Sequence, residues 1–406
     1  MTAFDFKRIG LVLVLVWCWP VVVNADINKG SHSQQQPDAS SESFAQLSQR
    51  AREAMAANRI PEAIQLYESA VRMHPSWSEG WWHLGTMFFD EGRYPAAHDA
   101  FVHFVSAERN EPGPGFAMLG LSDFHLKQYA DALDALERGK QLGLGNNPDF
   151  IHSVLYYDGI LNNLLGKPEI ALQRFTLVAN LISAAHQETS EQAVLDDSEL
   201  LDAFGMAGLR ISKLPAAISP TQAPMVRIAG RAQALIAMQD RVAADTEFQQ
   251  LVALYPSQPG VHYAYGVFLL KEHPPLAIGE FRRELEVSPS SDAPRIQLAL
   301  EYLRIADYDQ GLKYASEAVT LAPKNFVAHV AYGKLLLGVG KTDHAVQELR
   351  TAVRLAPGSP DARFALSQAF ARAGQNAQAA HERAEFERLK ALIDATDPET
   401  RGRSQQ

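Results

Sequence analysis

The chain has 406 residues, 47% of them hydrophobic and 21% charged, with a formal charge of −10 and a pI near 5.7. That apolar fraction is ample for folded cores. The acidic balance, with no cluster of Lys and Arg, argues against nucleic acid as partner, which calls for a basic face, and against attraction to an anionic lipid surface.

The first element is an apolar run, Ile9 to Val23, preceded by Lys7 and Arg8 and broken by Pro20. Small residues around Val23-Asn24-Ala25 complete the pattern of a secretory signal over residues 1–25. The run falls short of the about 20 residues a membrane-spanning helix needs. An uncleaved inner-membrane anchor at residues 9–23 is the alternative reading. Cys18 is the only cysteine and leaves with the signal, so the mature chain is expected to hold neither a disulfide nor a thiolate-bound metal. An exported protein of this kind suits a bacterial envelope, periplasmic or secreted. Residues 26–43 have almost no large apolar side chains and read as a flexible linker.

From residue 44 onward the sequence repeats. Pro256, Pro289, Pro323 and Pro357 fall at intervals of 33, 34 and 34 residues. Before each stand a small residue and, four positions on, a larger or apolar one: Ala244-Phe248, Ala277-Phe281, Gly311-Ala315 and Ala345-Leu349. Ala63-Tyr67-Pro75 opens the N-terminal half on the same beat. A period in the low thirties predicts stacked small units rather than one closed core. Within residues 326–359, Val330, Tyr332, Gly333, Leu336 and Leu337 keep one apolar helix face, and Gly340 marks its end. Ala345, Leu349, Ala352 and Val353 give a second helix, ended by Pro357. Gly333 and Ala345 are expected where the two helices come close.

These blocks resemble the tetratricopeptide repeat, a helix–turn–helix unit. The fullest match is residues 78–111, carried by Trp81, Leu84, Gly85, Phe88, Gly92, Tyr94, Ala97 and Phe101. The resemblance implies an all-α, right-handed superhelical solenoid of antiparallel helix pairs, about nine units plus one degenerate unit. Units are expected at 44–77, 78–111, 113–146, 152–185, 225–257, 258–291, 292–325, 326–359 and 360–393. They form an N-terminal group at 44–185 and a C-terminal group at 225–393, the latter closed by a polar capping helix over 377–395. Between them, residues 186–224 break phase with an acidic stretch and Pro215, Pro220 and Pro224. They read as a unit that kept one helix: an irregular link, or alternatively a hinge or docking loop. Residues 394–406 read as a disordered tail.

Catalytic signatures are absent. His98 and His103 lie five apart on one helix, unlike a helical zinc pair, and Gly143-Leu144-Gly145 follows a helix and lacks the lysine of a phosphate loop. The acidic residues at 188–199 lack the alternation of a calcium loop. No enzyme, cofactor or metal is expected.

What remains is a binding surface. The resemblance implies that each unit's first helix lines the concave side and contacts a partner peptide or helix. The inward candidates are Arg52, Trp82, Phe89, Asp90, Phe124, Tyr156 and Asn163, then Gln233, Tyr263, Lys271, Arg304, Lys334, Gln368 and Arg372. The first set is mostly aromatic, the second polar and basic. Trp81 is expected inside its unit. Trp82, about 100° round the helix, is expected on the groove. The chain therefore reads as a non-catalytic scaffold or adaptor in the envelope with a protein partner, and membrane contact only through a retained anchor. The alternative is an accessory repeat protein for envelope polysaccharide export or assembly, its aromatic groove stacking on sugars.

Overall fold

The computed structural model describes residues 43–186 and 190–396, in which every regular element is helical. The expected signal and nearly all of the linker lie outside the described residues, as do residues 397–406 of the expected tail. The chain divides into two compact units, meeting at Asp240 and Arg241.

The N-terminal unit is built of helix hairpins. They are α1 (Phe44–Ala56) with α2 (Ile60–Met73), α3 (Ser78–Asp90) with α4 (Tyr94–Ala107), α5 (Gly113–His125) with α6 (Tyr129–Leu142), and α7 (Pro148–Leu164) with α8 (Pro168–His186). A short α9 (Ser190–Asp196) follows, then α10 (Ser198–Gly208) packed on α11 (Ala223–Ala237). The C-terminal unit begins with α12 (Arg241–Leu254). Its hairpins are α13 (Val261–Leu269) with α14 (Pro274–Val287), α15 (Ala293–Arg304) with α16 (Tyr308–Leu321), α17 (Phe326–Gly338) with α18 (Thr342–Leu355), and α19 (Pro360–Arg372) with α20 (Asn376–Thr396). The all-α fold of antiparallel helix pairs is as the repeat predicts.

One pairing differs from expectation. The sequence reading leaves residues 186–224 with a single helix and joins α11 to α12 as the unit at 225–257. In the structure α10 takes α11 as its partner across the proline-rich segment. The reason is backbone contact: a Cβ at Gly205 would collide with the Val226 carbonyl, and one at Gly230 with the Leu201 carbonyl. Only glycine at both places lets these helices touch.

The turns share one geometry. After the first helix of most hairpins one residue takes positive φ, as at Gly92 (φ 71°) and Gly340 (φ 78°). The amide that follows reaches back five residues: Arg93 N–H donates to the Phe88 carbonyl at 2.8 Å and Lys341 N–H to Leu336 at 2.9 Å. These paired bonds satisfy carbonyls the helix end leaves open. Ala306 does the same work at φ 59° with a Cβ that disfavours it.

Several hairpins close by laying a large residue of the second helix onto a glycine of the first. An added Cβ at Gly85 would come within 2.6 Å of Phe101, at Gly266 within 2.6 Å of Phe281, and at Gly333 within 2.5 Å of Leu349. Gly333 therefore marks a close approach as expected, but its opposite number is Leu349. Phe101, Phe175, Phe248 and Phe281 are fully buried, each contributing about 2–3 kcal/mol of apolar burial.

A second repeated device escapes the sequence pattern. Six residues after each closing proline stands a side chain that bonds back across the joint between units. His262 Nε2 lies 2.9 Å from the Pro256 carbonyl and His329 Nε2 lies 3.0 Å from that of Pro323. Arg363 Nε donates to the Pro357 carbonyl at 3.2 Å, and Trp81 Nε1 to that of Pro75 at 2.8 Å. All of these but Trp81 also hold a carboxylate on their own hairpin's second helix: His262 with Glu280 at 2.6 Å, His329 with Glu348 at 2.7 Å and Arg363 with Glu382 at 2.8 Å. Arg295 completes the series with Glu317 at 2.8 Å and the Ser291 carbonyl at 2.7 Å. Each is a clasp joining the end of one repeat to the body of the next. A neutral imidazole can donate to one of its two acceptors only; donating to both takes a second ring proton.

Candidate binding face

First helices touch the first helices of their neighbours: α5 meets α7 and α7 meets α10, while α15 meets α17 and α17 meets α19. Side chains on these helices therefore share a layer within each unit.

The expected roles of the two tryptophans are reversed. Trp82 is 1% exposed, packed on Phe101 and Phe104 with ring centroids 5.9 and 5.2 Å away. Trp81 is partly exposed and stacks on His103 at 4.3 Å. The 100° rotation between them holds, but it turns Trp82 into the core that α4 covers. Trp82 is thus no groove contact, and the sugar-stacking alternative loses its tryptophan.

Three further candidates are buried. Phe89 is 3% exposed and fixed between Tyr94 and His125. Asn163 donates its amide to the Ile211 carbonyl at 2.9 Å, tying α7 to the segment after α10. Tyr263 is 7% exposed, 5.8 Å from the Phe281 ring. Helical spacing places all three on first helices, but neighbouring helices cover them.

Others are exposed or partly exposed yet engaged. Arg52 forms a two-pronged pair with Glu79, both bonds 2.7 Å, and lies over the Trp77 ring. Arg304 pairs with Glu301 at 2.8 Å, Lys334 with Asp361 at 2.6 Å, and Arg372 donates to the Leu337 carbonyl at 2.7 Å. Lys271 and Gln368 are exposed, and Gln233 is partly exposed beside Gly208 in the N-terminal unit.

Phe124 and Tyr156 remain partly exposed, and the structure brings them together through Tyr157. The Phe124 and Tyr157 rings lie 4.8 Å apart, and those of Tyr157 and Tyr156 lie 5.5 Å apart. His125, beside Phe124, stacks on Tyr94 at 4.0 Å and carries the track toward α3. Sequence reading misses Tyr157 and His125, although each directly adjoins a named candidate.

Carboxylates flank this track. Burial pushes Asp90, at the end of α3, up to about 6. Glu199, at the start of α10, is also raised, first by burial and then by Asp197 and Asp202. Burial raises both tyrosines, and Glu199 adds to it. Asp202 is committed to Arg227 at 3.1 Å, Asp197 caps α10, and Asp123 meets His98 at 2.6 Å. Deeper in, Asp158 is fully buried and neutralised by Lys140 and by Arg174 at 2.8 Å, a structural network between α6, α7 and α8. Among the described residues no group of three His, Cys, Asp or Glu is placed to hold a metal, and no helix is long and apolar enough to cross a membrane. A cavity of about 510 Å³ beside Arg350, Phe370 and His381 lies against the last helix of the C-terminal unit.

No curated protein matches the chain. Among solved structures, MamA from Desulfovibrio magneticus RS-1 is 18% identical, covering 43% of this chain and 98% of that one with a TM-score of 0.38. YrrB, titled a TPR protein with an unusual peptide-binding site, is 18% identical over 41% of this chain and 87% of its own, TM-score 0.36. The Cut9–Hcn1 hetero-tetramer of the APC/C is 14% identical over 85% of this chain and 66% of that one, TM-score 0.36. The family model described as tetratricopeptide repeat matches residues 48–101, 296–360 and 330–385, so repeats similar to this family occur in both units.

Proposed function

We propose that the protein is a non-catalytic interaction scaffold of the bacterial envelope that holds a partner's peptide or helix against the first-helix layer of its N-terminal unit. The observation that carries this is the cluster of Phe124, Tyr156 and Tyr157: partly exposed aromatics on contacting helices, the residue type that anchors interfaces. Export rests on residues 1–25, whose pattern is that of a secretory signal.

A photo-crosslinking residue placed at Phe124 or Tyr156 in the full chain tests the site. Crosslinks to one defined partner are expected there and not from outward positions such as Leu254 or Leu276. Equal crosslinking from both would sink the assignment. Cell fractionation with an antibody to residues 241–406 tests compartment, a cytoplasmic location contradicting export.

A further inference from the structure

The charge of the chain is unevenly spread. Residues 43–240 hold 23 acidic against 15 basic residues, whereas residues 241–406 hold 20 against 19. Of the carboxylates around the aromatic track, Asp123, Asp197 and Asp202 are engaged. Asp90 and Glu199 have no hydrogen bond or ion pair among the described residues. Asp90 on α3 directly follows Phe89, whose ring touches His125 of α5, and Glu199 on α10 acts electrostatically on Tyr156 and Tyr157 of α7. Arg52 and Arg227 of the same unit are paired elsewhere, with Glu79 and Asp202. An exposed Asp90 and a half-buried Glu199, neither with an ion-pair partner and with aromatic rings between them, complement a cation–aromatic–cation ligand.

We propose, resting on the interaction reading above, that this track binds an extended peptide whose basic side chains pair with Asp90 and Glu199 while its apolar or aromatic residues lie on Phe124, Tyr156 and Tyr157. Three helix-to-helix steps of about 8–10 Å separate α3 from α10. An extended chain spans that in about seven to nine residues, which sets the spacing of the two basic residues. Arginine is the better of the two bases here, because its guanidinium both pairs with carboxylates and stacks on rings.

The test is fluorescence anisotropy of the full chain with labelled dodecapeptides of one Tyr- and Leu-containing framework. The first carries two arginines eight residues apart, the second glutamates in their place, the third leucines, and the fourth places the arginines side by side. The first should bind tightest, weaken as salt rises, and lose about threefold to tenfold in affinity with each of Asp90→Asn and Glu199→Gln. These isosteric changes at surface-accessible carboxylates leave folding intact, checked by an unchanged melting curve. If the glutamate or leucine peptide binds as tightly as the first, the charge assignment is overturned while the interaction reading stands. If the first binds but both variants bind it equally well, the site is overturned. If no peptide binds, the proposal falls, and crosslinking at Phe124 separately decides whether the scaffold reading falls with it.

Discussion

The repeat clasps predict a specific substitution pattern at His329. His329→Ala removes a bond to the Pro323 carbonyl and one to Glu348, at 3.0 and 2.7 Å. The carbonyl bond is worth about 1 kcal/mol. The Glu348 bond is charge-assisted, but that carboxylate is 26% exposed, so solvent screening reduces it to about 1 kcal/mol. Together they give about 2 kcal/mol, or about a thirtyfold rise in local opening. Because neighbouring repeats unfold by local steps, hydrogen–deuterium exchange is the suitable assay, read over α17 and α18. His329→Arg should recover most of the loss, since Arg363 at the equivalent position of the next hairpin bonds both its closing-proline carbonyl and a second-helix carboxylate, and Arg295 in the preceding hairpin holds Glu317 and the Ser291 carbonyl. His344→Ala, at an exposed position of α18, serves as control. If His329→Ala exchanges no faster than His344→Ala, or if His329→Arg is as damaging as His329→Ala, the clasp contributes nothing and the reasoning fails.

Further substitutions test the packing. Gly333→Ala puts a Cβ 2.5 Å from Leu349 Cγ and should cost about 1–3 kcal/mol; a double change with Leu349→Ala should be less than additive in thermal melts. Ala306→Gly should raise stability by about 0.5–1 kcal/mol, by removing a Cβ from a left-handed turn at φ 59°, and an unchanged melting temperature would argue against strain there. Burial lowers His83 to about 4, opposed by Glu79 and reinforced by Arg52. The unfolded chain therefore takes up a proton that the folded one refuses, and stability falls as pH drops from about 6.5 toward 4. His83→Phe, whose ring still packs on Tyr67, should flatten that slope in pH-dependent denaturation, and an unaltered slope would refute the assignment.

Much of the fold could be read from spacing alone. The period gives the hairpins, Gly340 gives a turn, and the Gly333 position gives a close approach. Spacing on one helix fixes angles between side chains but not which neighbour covers them. Trp81 and Trp82 show this: their angular separation is right and their environments are interchanged, because α4 covers the face that carries Trp82. Phe89, Asn163 and Tyr263 were misplaced for the same reason. The pairing of α10 with α11 depends on Gly205 and Gly230 meeting across residues 211–222, a match that the repeat phase conceals. The clasps had a visible signal, a hydrogen-bonding side chain six residues after each closing proline. Their variation among His, Arg and Trp hides it, since what is retained is a donor and not a residue type.

The placement of the tryptophans decides what optical spectroscopy can see. The five in the sequence are Trp17 and Trp19, within the expected signal, and Trp77, Trp81 and Trp82, all at the second hairpin of the N-terminal unit. Residues 241–406 contain none. Intrinsic tryptophan emission from a mature chain would therefore report on this hairpin and, through Trp77 against Phe44 and Tyr67, on the first, with Trp82 shielded and Trp81 open to aqueous quenchers. Melting of the C-terminal repeats, or a ligand settling there, would pass without a tryptophan signal unless a reporter were introduced.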